Sequence, residues 1–328
     1  MKKSLIKKIT AFVGVFAMSL GLLSGCGSSS GSASKGGKIM IIGTDTDDAY
    51  RKLLIDAIKS EGESAGVTID DQECGNDVEK QAEAARKAVS GGYSAIICRL
   101  ADASTAPQIE LAAGDLPVIY VNNQPDDSAL KADKYVYVAS NEEDCGRMQA
   151  EYVMKKVNKK EMNIIILEGE KGHSATIQRT EANKNTFKRE GVTVHILFQD
   201  YCNWTDTEAR HKLDLFFKTN QSVDAILCNN DTMALGAVQA LEDNGLDPSQ
   251  IPVTGVDATA DGCKSISEGK MGFTAFQNAK GQAKKAVEVA SALGNGKSIK
   301  GIKGVTKDLK YGYVPFEAVD SSNVSKYM

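Results

Sequence analysis

Between Asp224 and Leu241 the hydrophobic period of the chain changes. Asp224-Ala-Ile-Leu-Cys-Asn is a short apolar run of strand length; beyond Asn229-Asn230-Asp231 the residues Ala234, Ala237, Val238 and Leu241 recur at spacings of three and four. A buried strand that passes directly into an amphipathic helix belongs to a βαβ unit. Asp231 is the expected N-cap, since its carboxylate can accept from the first free backbone N–H groups. A handover through two amides and a carboxylate also makes the crevice at the carboxyl edge of a parallel sheet, where open α/β sheets hold small ligands. Turns and caps favour Asn and Asp for their own reasons, so this stretch fixes a fold class before it fixes a site.

The same alternation extends over most of the chain. Strand-like runs at 38–43, 67–69, 94–98, 118–121 and 135–139 are separated by helical patterns near 53–58, 78–89 and 109–113, and a helix follows at 142–157. The pattern restarts at 163–167, with further strands at 192–198, 252–256, 272–276 and 311–316, and with helices at 174–190, 208–217 and 279–293. Two successive runs of this kind predict an α/β protein of two doubly wound lobes, and 328 residues suffice for two domains. No internal sequence repeat accompanies them. Several strands end on a polar residue: Arg99, Asn122, His173 after a loop, Asn230, Asp257 and Gln277. Two facing sheets with such groups at their carboxyl ends describe a cleft for a small polar ligand.

The first 25 residues read differently. Lys2, Lys3, Lys7 and Lys8 precede an apolar segment from Ile9 to Leu23, and Leu23-Ser-Gly-Cys26 ends it. This is the pattern of an export signal (residues 1–25), too short and wrongly flanked for a membrane span. Leu-Ser-Gly-Cys resembles the bacterial lipobox, which implies lipidation at Cys26 and a mature chain anchored to the outer side of the cell membrane. Residues 26–37 then form a tether; its eleven residues Gly27–Gly37 give a mean reach of roughly 18 Å. Without the signal the chain keeps 35 basic against 43 acidic side chains, a net charge of −8. That balance argues against nucleic acid as a partner.

The remaining six cysteines, at 74, 98, 145, 202, 228 and 263, show no CxxC pair and no regular spacing, and are expected to be free thiols. No nucleophile elbow and no HExxH sequence occurs, and His173, His195 and His211 are too scattered for a zinc cluster. Gly294-Asn-Gly-Lys-Ser298 lacks the first glycine of a phosphate loop and reads as a helix stop. Asp45-Thr-Asp47-Asp48 lacks calcium-loop spacing. The expectation is a binding protein, not an enzyme, with no cofactor and no metal.

Gly169-Glu-Lys-Gly-His173, the run from Asn229 to Ala237, Val253-Thr-Gly-Val-Asp257 and Val314-Pro315 together point to a family. From Lys38 onward the chain resembles the periplasmic-type sugar-binding proteins of the ribose/galactose class, with the galactose/glucose branch the best match. The resemblance implies the type I periplasmic binding protein fold, two Rossmann-like lobes on a hinge. Residues 38–140 with 278–308 are expected in the N-terminal lobe, and 141–277 with 309–328 in the C-terminal lobe. It also implies ligand-binding roles for Asp48, Tyr50, Asn122, His173, Arg179, Trp204, Asn230, Asp257 and Gln277. The chemistry of these types agrees: aromatic planes suit the C–H faces of a pyranose, and Asp, Asn and Arg suit its rim of hydroxyls.

Two departures from the galactose/glucose branch stand out. The calcium loop of that branch is replaced by Val157-Asn-Lys-Lys-Glu-Met162, which is short and basic. Its Gly-His-Pro-Asp becomes Gly172-His-Ser-Ala175, so a binding carboxylate is missing and Arg179 must bond to sugar oxygens, to water or to another acid such as Asp257. The implied function is that of a lipid-anchored, monomeric sugar-binding component of an ABC importer, delivering a galactose/glucose-like hexose to its membrane permease by hinge closure. The alternative is a sensor that presents its sugar to a membrane kinase or chemoreceptor. A LacI-type regulator, which shares the fold, would need a DNA-binding helical domain where this chain has an export signal.

Overall fold

A computed structural model of the protein describes residues 37–44 and 48–328. The export signal, Cys26 and the tether up to residue 36 lie outside the described residues. The strands form two six-stranded sheets. The first contains β1 (Lys38–Gly43), β2 (Thr68–Glu73), β3 (Ala95–Cys98), β4 (Val118–Val121), β5 (Tyr135–Ala139) and a late strand, β11 (Tyr311–Tyr313), in the order β11-β5-β4-β3-β1-β2. The second contains β6 (Glu161–Glu168), β7 (Thr193–Tyr201), β8 (Ala225–Cys228), β9 (Val253–Asp257), β10 (Phe273–Phe276) and β12 (Glu317–Asp320), in the order β12-β10-β9-β8-β6-β7. All neighbours are parallel except β10 and β12. The two sheets share one winding, with the reversal of order beside β1 in one and β6 in the other. A structural repeat therefore exists where no sequence repeat does.

Period-two alternation in the central strands puts apolar side chains on both faces. In the first sheet Ile39, Ile41, Ile97 and Ile119 pack under α1 (Ala49–Ala65) and α9 (Ala279–Gly294), through Leu54, Ile58, Val287 and Ala290. Met40, Ile42, Ile96 and Tyr120 face α2 (Val78–Ser90) and α3 (Ala106–Ala113). In the second sheet Ile165, Leu167 and Ile226 pack under α6 (Asp206–Phe217) and α7 (Asp231–Asp243). Ile164, Ile166 and Leu227 meet Val153 of α4 (Glu142–Val157) and Phe187 of α5 (Ser174–Arg189).

The chain passes between the sheets three times: from β5 into α4, from β10 into α9, and from β11 to β12. The third crossing differs from expectation. Tyr311–Tyr313 pair with Tyr137–Ala139 of the first sheet, so by sheet membership the passage lies at Val314–Phe316 and not at 308/309. Three other details differ. Asn230, not Asp231, caps α7, its Oδ1 accepting from the Met233 N–H at 2.9 Å. A short helix, α8 (Ala260–Ser267), fills the gap after β9; with Cys263 and Ile266 as its apolar contacts it carries too little periodicity to be read. The strand at the end of the chain is double, with β12 after β11.

All six described cysteines are free and buried. Cys74, after β2, is separated from Cys98 on β3 by the whole of β1; Cys202, after β7, is separated from Cys228 on β8 by β6. Two strand spacings, roughly 9–10 Å, exceed the Cα separation of about 7 Å that a disulfide can span.

Candidate functional site

The carboxyl ends of β1, β4, β6, β8, β9 and β10 all open toward one cavity. Asp48, Tyr50, Asn122, His173, Arg179, Trp204, Asn230, Asp257 and Gln277 line it, together with Arg51 and Ala175. All nine residues expected at a site are thus brought together. The cavity, its mouth included, measures about 280 Å³.

In the second sheet each side chain is fixed by local structure. His173 caps α5: its Nδ1 accepts from the Ala175 N–H at 3.2 Å. Burial, reinforced by the charges of Arg99, Arg51 and Arg179, holds its pKa well below the usual range. The ring is therefore neutral and Nε2 carries the proton as a donor. Trp204 meets this ring edge-on at 5.2 Å between centroids. Its indole lies directly against Gly169, where any Cβ would overlap the six-membered ring. Asn230 spends its carbonyl oxygen on the α7 cap, and its amide donates to the Trp204 carbonyl at 3.2 Å.

Arg179 is the most connected group of the site. Nε donates to Glu142 Oε2 at 2.6 Å, Nη1 to the Asn229 carbonyl at 2.6 Å and Nη2 to Gln277 Oε1 at 3.1 Å. Its guanidinium also lies 5.9 Å from the Phe316 ring centre. Burial opposes the charge, but Glu142 above all keeps the guanidinium protonated, with its pKa raised. Glu142, not Asp257, is thus its acid partner. An acidic residue in the first turn of a helix reads as ordinary dipole compensation, and only the fold brings it to an arginine 37 positions away.

The first sheet contributes a second set. The Asp48 carboxylate caps α1, accepting from the Arg51 N–H at 2.9 Å. Asn122, at φ 63°, accepts from Arg99 Nε at 3.2 Å. Glu170 of the other lobe reaches across: Arg51 Nη2 donates to it at 2.8 Å, Arg99 Nη2 lies 3.6 Å away, and Trp204 Nε1 donates at 3.4 Å. A second bridge joins Asn123 Oδ1 to the Ser174 N–H (3.2 Å) and Ser174 Oγ to the Gln124 N–H (2.8 Å). Arg51, Arg99, Glu142 and Glu170 were not among the expected site residues; Arg99 was visible only as a polar strand end.

Several polar groups at the cavity are left without protein partners. The Tyr50 hydroxyl and Gln277 Nε2 are buried and unbonded, as is Glu142 Oε1, which does not line the cavity but pairs with Arg179 through its other oxygen. Burial first, and the neighbouring Asp231, Asp48 and Glu142, raise the Asp257 carboxyl well above the usual carboxylate range despite the opposing charge of Arg179. Buried polar atoms without partners are expensive, so a ligand rich in hydroxyls is the complement to this wall. Among the described residues no cluster of three His, Cys, Asp or Glu is arranged to hold a metal ion. No helix among them is long and apolar enough to cross a membrane.

Residues 39–298 match the family described as periplasmic binding protein domain. A putative rhizopine-binding protein of Rhizobium meliloti is 27% identical over 86% of this chain and 89% of its own length. A D-galactose/methyl-galactoside binding periplasmic protein of Haemophilus influenzae is 26% identical over 98% of this chain and 99% of its own. An ABC transporter solute-binding protein of Bacillus halodurans, solved with bound myo-inositol, is 30% identical, superposes with a TM-score of 0.79, and covers 90% of this chain and 98% of its own. With its two mostly parallel sheets, three crossings and interlobe cavity, the chain belongs to the periplasmic binding protein domain family, in its type I fold.

Proposed function

We propose that this chain is the sugar-binding component of an ABC importer, and that its ligand is a cyclic six-carbon polyol, in the first place a galactose- or glucose-like hexose. The observation that carries this reading is a pair of buried, unbonded polar atoms at the cavity, Gln277 Nε2 and the Tyr50 hydroxyl, beside the Asp257 carboxyl and the Trp204 ring. Carboxylate, amide and phenol can pair with the hydroxyls of a monosaccharide while the indole covers a C–H face. No bond is broken; the ligand bridges two lobes and favours their closed arrangement. Myo-inositol is the second candidate, because the Bacillus halodurans relative holds it and it offers the same ring of hydroxyls. Ala175 lines the cavity where the galactose/glucose branch has a carboxylate, which leaves one hydroxyl less closely read and should give tolerance for a deoxy or O-methyl group there.

A thermal-shift screen of the soluble, tether-free protein against D-galactose, D-glucose, myo-inositol and D-ribose tests the reading, since a ligand of the native state adds about 2.7 kcal/mol at a hundred times its Kd. A cyclic six-carbon polyol should raise the Tm and ribose should not; a pentose preferred over every six-carbon polyol contradicts it. Ala175→Asp should sharpen the preference among hydroxyl, deoxy and O-methyl forms of the best ligand. The anchor is part of the same reading: Cys26→Ser should move the protein from the membrane fraction to the soluble one.

A further inference from the structure

One wall of the cavity ends on a backbone that few residues adopt. Asp257, at the end of β9, and Ala258 have φ of 109° and 51° in succession. Neither is glycine, so this turn persists only if its surroundings impose it. The constraint comes from a buried cluster behind the cavity. The Ala258 N–H donates to Thr274 Oγ1 at 3.1 Å, and the Thr274 hydroxyl in turn donates to Asp231 at 2.6 Å. The other oxygen of Asp231 accepts from the Thr259 N–H at 2.8 Å and from its hydroxyl at 3.2 Å.

Asp231 and Thr274 are fully buried, and neither lines the cavity. A Cβ at Gly255 or at Gly262 would overlap the Asp231 carboxylate, so strand and helix are both cut away to admit it. A carboxylate so enclosed is costly unless its bonds are essential to the local arrangement. Both ends of the strained turn, at Ala258 and Thr259, are tied to this one group.

We propose that Asp231 and Thr274 are positioning residues: through Ala258 and Thr259 they hold the turn that aims the Asp257 carboxylate into the cavity, and so set sugar affinity without touching sugar. This rests on the sugar-binding reading above. It assigns a purpose to the third residue of Asn229-Asn230-Asp231 that differs from a helix cap.

Isothermal titration of the purified protein with its best monosaccharide tests this, using Thr274→Val, Thr274→Ser and Asp231→Asn, each verified as folded by circular dichroism. Thr274→Val keeps the volume and removes the hydroxyl; its Kd should rise at least tenfold at a temperature where the variant is fully native. Thr274→Ser should stay within threefold of the native Kd. A residue that served stability alone would lower the Tm and leave the Kd of the folded protein unchanged. If Thr274→Val does not fold, Asp231→Asn carries the same expectation of a tenfold rise. A native protein that binds while Thr274→Val, or in its place Asp231→Asn, binds within twofold of it overturns the inference alone. So does Thr274→Ser as weak as Thr274→Val. A native protein that binds no monosaccharide overturns the sugar reading and this inference with it.

Discussion

Trp204 sits on a left-handed backbone, φ 66°, after Asn203 at 49°, and its ring rests on the bare Cα of Gly169. The two residues act as one unit, because the glycine is what lets the indole reach the cavity. Trp204→Ala should cost at least about 2 kcal/mol of ligand binding, the scale of a buried aromatic anchor, or roughly thirtyfold in Kd, measured by titration calorimetry. An unchanged Kd would remove Trp204 from the site. His173 gives a prediction in pH. Its pKa is depressed in the folded protein by burial and by three arginines, so its share of stability is full above the unfolded value of ~6.5 and is lost as pH falls below that. The Tm advantage of the native protein over His173→Asn, which keeps a capping side chain without the titration, should shrink between pH 7 and pH 5.5 in calorimetric scans. At this scale much was legible in the sequence. Seven of the nine expected residues sit at the ends of strands or on the loops that follow, and strand ends are fixed by hydrophobic pattern; Tyr50 and Arg179 lie on the helices α1 and α5. Glu142 and Glu170 were not legible, because their partners, Arg179 and Arg51, lie 37 and 119 positions away.

Among the elements, the three crossings between the sheets converge on Arg179 of α5. Glu142 follows the first crossing, Gln277 opens the second, and Phe316 lies on the third. A ligand that engages the remaining N–H groups of Arg179 would therefore act on all three connections. Removing one partner of a buried ion pair leaves the other charge uncompensated, so Glu142→Ala should destabilise by about 3–5 kcal/mol, read from urea unfolding. The Arg51–Glu170 bridge is different. The carboxylate is 37% exposed, so Glu170→Gln should cost stability no more than about 1 kcal/mol. Elements with strong periodicity, such as β1, β8, α4 and α9, were legible to within a few residues. The edge strand β7 runs three residues past the expected Phe198, because its polar end Gln199–Tyr201 pairs with β6 without an apolar signature. α8 was missed because its eight residues bury only Gly262, Cys263, Ser265 and Ile266.

For the whole molecule, two sheets with one winding present their carboxyl edges to a common cavity, and hydrogen bonds and an ion pair from both lobes close around it. The lobe assignment of the last strands, expected to begin the C-terminal lobe at 309, is where the plan differs: Tyr311–Tyr313 extend the first sheet beside β5, and only after Val314–Phe316 does the chain return to the second. Nothing in the hydrophobic pattern distinguishes which sheet edge a three-residue strand will join. The short link from Val157 to β6 leaves no expectation of a structural calcium ion, so EDTA should leave the Tm unchanged; a drop restored by calcium would contradict that. The central claim is that a cyclic six-carbon polyol binds between the lobes against Asp257. Titration calorimetry of the native protein and of Asp257→Ala with D-galactose, D-glucose and myo-inositol tests it most directly. The account predicts one-to-one binding of at least one of these by the native protein and a loss of at least tenfold in affinity in the variant; binding that Asp257→Ala leaves unchanged, or no binding of any of the three, would contradict it.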